Sequence, residues 1–146
     1  CASPGGCAWC VAAGVRRAGA AQGGGAVRGG LGRRAGLRGV ADEVWARHGD
    51  LVVAMASEAS KTVAEAAPEI AEAVDFARWY AERAPELDRI EGARFTPLGV
   101  VAVVPPWNFP VAIPAGGPLA ALAAGNPAVF KPAPATPRCA GIVAAA

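Results

Sequence analysis

Charge is missing from a long part of this chain: no Asp, Glu, Lys or Arg stands between Phe95 and Phe130. An uncharged run of that length raises a membrane span. Prolines at 97, 105, 106, 110, 114, 118 and 127 exclude it, because each removes a helical hydrogen bond and together they break any single helix through a bilayer. The run therefore reads as buried structure of a soluble chain. Acidic residues are missing from both ends, since all 12 lie from Asp42 to Glu91. No carboxylate beyond Glu91 is available as a general base. The arginines at 16, 17, 28, 33 and 34 have no acidic neighbour before Asp42. They read as a solvated basic tail, because the interleaved aromatics and recognisable module of a nucleic-acid binder are absent. A net charge of +2 selects no partner.

Metal ligands are equally scarce. Cys7 and Cys10 have CxxC spacing, but the only histidine is His48, within a helical stretch, and no strand leads into the pair. Neither a zinc site nor a redox motif follows, and no metal is expected. There is no GxGxxG, and Gly116-Gly117 does not replace it. No signal peptide is evident, because the apolar stretch 10–15 is short and arginines follow it. The expected location is the cytoplasm.

Residues 1–36 hold 11 of the 19 glycines and keep neither a helical nor a strand period, so this low-complexity segment is expected to be disordered or loosely held. Translation of a GC-rich gene in another frame would account for it. From 37 to 56, apolar residues at 37, 40, 44, 51, 52 and 55 recur with helical period, and Gly49 is a candidate break. Thr62-Val63-Ala64-Glu65 has the form of a capping box. It predicts a second helix to about Ala84 with Ile70, Val74, Ala77 and Ala81 inward, and Pro68 is expected to bend it or move its start. Trp79 and Tyr80 read as packing residues.

The uncharged run has its own grammar. Residues 98–104 (LGVVAVV) are continuously apolar and β-branched, the pattern of a strand covered on both faces of a parallel sheet. Pro105-Pro106 ends it, and 107–110 must turn tightly at the strand's carboxyl end, where open α/β sheets place ligands. Residues 115–124 predict a helix stopped by Gly125-Asn126, which tolerate a left-handed cap. Residues 128–130 form a second buried strand that delivers Lys131-Pro132 to the same edge.

These strings, Pro97 to Val101 (PLGVV), PWNFP from Pro106, AALAAGN from Ala120 and the strand ending in Lys131-Pro132, resemble the aldehyde dehydrogenase family. The similarity extends upstream through Glu58 to Thr62 and through Glu72 to Tyr80, and so covers about Leu37 to the C-terminus. Ser60 stands where relatives carry glycine, so a tight turn there is expected to be lost. Glu72-Ala73-Val74-Asp75-Phe76 and Ile113 to Gly117 bring it nearest to the L-glutamate γ-semialdehyde (1-pyrroline-5-carboxylate) dehydrogenase branch of proline catabolism.

The resemblance implies an oxidoreductase chemistry in which a cysteine thiolate attacks the aldehyde, hydride passes to a nicotinamide, and a glutamate-activated water releases the acid. Asn108 would donate to the oxyanion; an amide is uncharged at every pH and does not compete as a nucleophile. The bland alternative is an asparagine that fixes a turn. The main chain of Val104, Pro105, Pro106 and Trp107 would line the cofactor cleft. Lys131, with Pro132 and Ala133, would meet the adenosine ribose, unless Lys131 only reaches for water. The cofactor implied is NAD, with NADP open, because Pro134 replaces a glutamate that relatives place against the ribose 2′-hydroxyl. Lys61 and Glu58 are assigned to structure.

Cys139, with Pro137 opening a helix, is physically able to be reactive. The plainer reading is a small buried residue. The family's nucleophile and base are not found in these residues. The expectation is thus the N-terminal part of an α/β enzyme, inactive alone: 1–36 low complexity, 37–94 helical, and 95–146 the start of a truncated Rossmann-like NAD-binding domain. The full-length relatives imply a homo-oligomer acting on a small aldehyde. A dehydrogenase for another aldehyde and a non-catalytic fragment are the alternatives.

Overall fold

The computed structural model describes residues 29–146. Cys7, Cys10 and the arginines at 16, 17 and 28 lie outside the described residues. Among the described residues three helices come first: α1 (Gly30–Ala46), α2 (His48–Ala59) and α3 (Val63–Arg83), followed by a 3₁₀ turn, Leu87–Arg89. Strand β1 (Val101–Val103), helix α4 (Ala112–Ala123), strand β2 (Ala128–Phe130) and helix α5 (Pro137–Ala145) complete the chain.

Helix α1 starts inside the segment that composition marked as unstructured. Long-range partners explain this. The Gly30 N–H donates to Asp88 Oδ2 at 2.7 Å, and Arg33 donates to Asp88 Oδ1 at 3.1 Å and to the Ala84 carbonyl at 3.2 Å. Arg34 and Arg38 share Glu82, at 2.8 and 2.6 Å. Arg34 therefore ties α1 to α3, and Arg33 ties it to the segment just after α3, instead of both belonging to a solvated tail. The Gly30 N–H, followed by Arg33, holds the Asp88 carboxyl below its ordinary range. Tertiary contact overrides the weak helix propensity of a glycine-rich sequence.

The break between α1 and α2 falls at Arg47, and Gly49 lies within α2. Leu37, Val44, Leu51 and Met55 enter the core as their period predicts, while Val40 and Val52 pack at its margin. Ser60 takes φ +54°, so the turn after α2 survives without glycine. A left-handed L-residue costs roughly 1–2 kcal/mol.

Helix α3 begins at Val63, where the Thr62 N–H donates to Glu65 Oε2 at 2.9 Å. Pro68 sits within the helix and does not move its start. Ile70, Val74, Ala77 and Ala81 are buried as expected. Tyr80 packs against the core, and Trp79, 59% exposed, packs edge-on against the Tyr80 ring with centroids 5.2 Å apart.

β1 and β2 pair in parallel, Val101 with Ala128 and Val103 with Phe130, so the strand-helix-strand unit is present. The strand is shorter than the apolar run that suggested it. Leu98 is 94% exposed and Val104 66% exposed, because a two-stranded sheet packed by α4 cannot cover both faces of 98–104. α4 starts at Ala112, earlier than the small-residue run indicated. It ends before Gly125, which alone takes the left-handed conformation, φ +75°. Asn126 is instead a buried brace: its Oδ1 accepts the Gly99 N–H at 2.9 Å. No helix among the described residues is long and apolar enough to cross a membrane.

Candidate functional site at the carboxyl edge of the sheet

The parallel register sends both strands out at one edge. Lys131 donates its backbone N–H to the Val103 carbonyl at 2.9 Å, so the chain leaves β2 beside the point where Val104 leaves β1. Past Val104 the backbone turns through Pro105 to Pro110 into α4. Pro105 and Pro110 are buried and act as footings, while Pro106, Trp107, Asn108 and Phe109 stand exposed between them. Lys131 and Pro132 are half-buried and Ala133 is buried. The Asn108 amide has no hydrogen-bond partner among the described residues and is free to donate. Lys131 occupies the same edge, with no hydrogen bond to Asn108.

The far side of this turn is held by Glu69, which sequence reading passed over, and by Lys61, which it assigned to structure. Glu69, 3% exposed, accepts the N–H groups of Val111 and Ala112 on Oε1 at 2.8 and 3.1 Å. These are among the donors that the start of a helix leaves unpaired. Lys61 forms an ion pair with Glu69 Oε2, and its ammonium lies 4.3 Å from the Phe109 ring centroid. A signal for Glu69 was present: a carboxylate between Ala66 and Ala73, on the apolar face of α3, needs a buried partner.

Glu58 serves α5 in the same way, accepting the N–H groups of Arg138 and Cys139 at 2.8 and 2.9 Å. Cys139 is fully buried. Burial, with the Glu58 carboxylate beside it, pushes its thiol up to about 12, so the helix start does not make it a nucleophile. A cleft of about 290 Å³, lined by Arg38, Ala41, Asp42, Arg78 and Glu82, opens between α1 and α3 and includes none of the sheet-edge residues.

Sequence and structure comparisons show what the chain as a whole is similar to. The Aldehyde dehydrogenase family model matches residues 5–146, which reaches far into the glycine-rich segment and weighs against its being out of frame. The Bifunctional protein PutA of Rhizobium meliloti is 44% identical over 105 residues, 72% of this chain and 8% of that protein. The 1-pyrroline-5-carboxylate dehydrogenase 2 of Bacillus subtilis (strain 168) is 43% identical over 93 residues, 57% of this chain and 18% of that one. Among solved structures, Proline Utilization A from Corynebacterium freiburgense superposes with a TM-score of 0.78 at 48% identity, covering 81% of this chain and 12% of its own. A 1-pyrroline-5-carboxylate dehydrogenase superposes at 0.85 with 28% identity, covering 92% and 28%. The chain thus spans less than a fifth of the length of these curated relatives. With the strand-turn-helix-strand arrangement and the family match in agreement over the whole described structure, the chain belongs to the aldehyde dehydrogenase family.

Proposed function

We propose that this chain supplies the cofactor edge and oxyanion donor of a nicotinamide-dependent dehydrogenase that oxidises L-glutamate γ-semialdehyde, the open form of 1-pyrroline-5-carboxylate, to glutamate. The substrate follows from the relatives named 1-pyrroline-5-carboxylate dehydrogenase and PutA. The observation that carries the chemistry is Asn108, an unpartnered amide on an exposed turn anchored at both ends. A donor of this kind, aimed at charge that develops on the aldehyde oxygen, is worth about 2.7–4 kcal/mol in the barrier.

The edge suits a dinucleotide. Val104, Pro106 and Trp107 form an exposed apolar rim for a flat ring, with the buried Pro105 fixing their backbone. Lys131 stands across the strand pair, with Pro132 and Ala133 setting the path after it, and its ammonium can donate to ribose hydroxyls. NAD, when bound, takes up the hydride released from the substrate carbon. Pro134 is exposed and carries no charge to repel a 2′-phosphate, so NADP is accepted as well.

The test is a chimera in which residues 29–146 replace the matching segment of the Bacillus subtilis 1-pyrroline-5-carboxylate dehydrogenase 2. It should oxidise the semialdehyde with NAD. Asn108→Ala should lower kcat by about 10²–10³-fold, and Lys131→Ala should raise the KM for NAD. A folded chimera that oxidises other aldehydes but not this one would refute the substrate; an unchanged kcat in Asn108→Ala would refute the oxyanion role.

A further inference from the structure

We infer that Glu69, charge-balanced by Lys61, is a positioning residue that sets where the Asn108 amide points. This inference rests on the reading of Asn108 as the oxyanion donor. Asn108 is exposed and makes no hydrogen bond, so nothing at its own side chain holds it in place. Everything that follows it is held. Phe109 lies under the Lys61 ammonium, Pro110 is buried, and Val111 and Ala112, 0% and 1% exposed, give their N–H groups to one Glu69 oxygen. The other Glu69 oxygen takes Lys61.

One carboxylate and one ammonium therefore grip three of the four residues that follow Asn108, and both come from outside the turn. Lys61 stands between α2 and α3, and Glu69 lies in the second turn of α3. The grip also fixes the start of α4. A buried carboxylate with one oxygen on two backbone donors and the other on a cation is fully engaged, so it has one low-energy geometry. Removing the Lys61 charge leaves Glu69 buried and underpaired and frees the Phe109 ring. The turn then samples several positions. Donor placement that drifts by about 1 Å costs on the order of 10²-fold in rate.

Two measurements decide it. In the full chain at sub-micromolar concentration, hydrogen exchange followed by mass spectrometry should show Lys61→Met accelerating exchange in peptides covering 107–113. Peptides from 70–83 should be unchanged, and Lys61→Arg should restore protection. Equal exchange at 107–113 in all three proteins would overturn the inference.

In the chimera, Glu69→Gln should lower kcat on the order of 10²-fold with the KM for NAD unchanged. Placed on Asn108→Ala, the same change should alter kcat by no more than about twofold, because a residue acting through Asn108 has nothing left to position. Losses that multiply would mean Glu69 only stabilises the fold, and would overturn the inference. A chimera inactive with Glu69 intact would count against the proposed function alone, and the exchange result would still decide the inference.

Discussion

Gly117 in α4 leaves no room for a side chain against Val103 of β1: a Cβ there would lie 2.6 Å from Val103 Cγ1. Val103 is stiff at χ1 and accepts the Lys131 N–H through its carbonyl, so it cannot yield without disturbing the sheet edge. A Cβ on Gly116 would lie 3.3 Å from Phe76 Cδ2 of α3, so the glycine pair lets α4 lie close to both the sheet and the helical layer.

Gly117→Ala should destabilise the chain despite alanine's better helix propensity. Overpacking costs typically 1–3 kcal/mol, against a gain of about 1 kcal/mol from removing a helical glycine. Gly36→Ala and Gly39→Ala, in α1 with open space around them, should each stabilise by about 0.5–1 kcal/mol. Urea melts of the three variants check the contrast. A stabilised Gly117→Ala would mean that the close approach carries no constraint.

Asn126 joins the entrances of the two strands through the Gly99 N–H. Asn126→Ala leaves that donor without its partner and should cost about 1–3 kcal/mol. Denaturant midpoints decide this, and equal midpoints for Ala and wild type would remove the brace from the account.

Cys139 should resist alkylation in the folded protein. Its thiol is raised from an ordinary value of 9.0 to about 12, chiefly by burial and next by Glu58. The native state thus holds this proton more tightly than the unfolded chain. The resulting stability is complete below the unfolded value and is lost as pH rises from there toward about 12. Iodoacetamide labelling of the Cys139 peptide at pH 9 should be slow natively and fast in guanidinium. Equal rates would place the thiol at the surface.

How much of this was legible beforehand varied with the range of the interactions involved. The α3 start was readable because Thr62 and Glu65 are neighbours, and a capping box is a local contract between a side chain and the next turn. The sheet-edge turn was readable because consecutive prolines after a β-branched run leave the chain few conformations. The α1 start was not readable from 30–36, since its determinants are Glu82, Ala84 and Asp88, distant in sequence. Ser60 kept a left-handed turn that the resemblance to relatives with glycine there marked as lost.

By itself the sequence determined the strand-helix-strand unit, the proline-bounded turn carrying Asn108, the placement of Lys131 after the second strand and the resemblance to a family. All of these rest on period, breakers and short spacings. Only the tertiary structure decided that Glu69 and Lys61 hold the turn, that Cys139 is inert and that Asn126 braces the sheet. Each depends on which side chains from distant segments meet in a low-dielectric interior, where an unpaired charge or donor is costly and a paired one fixes geometry.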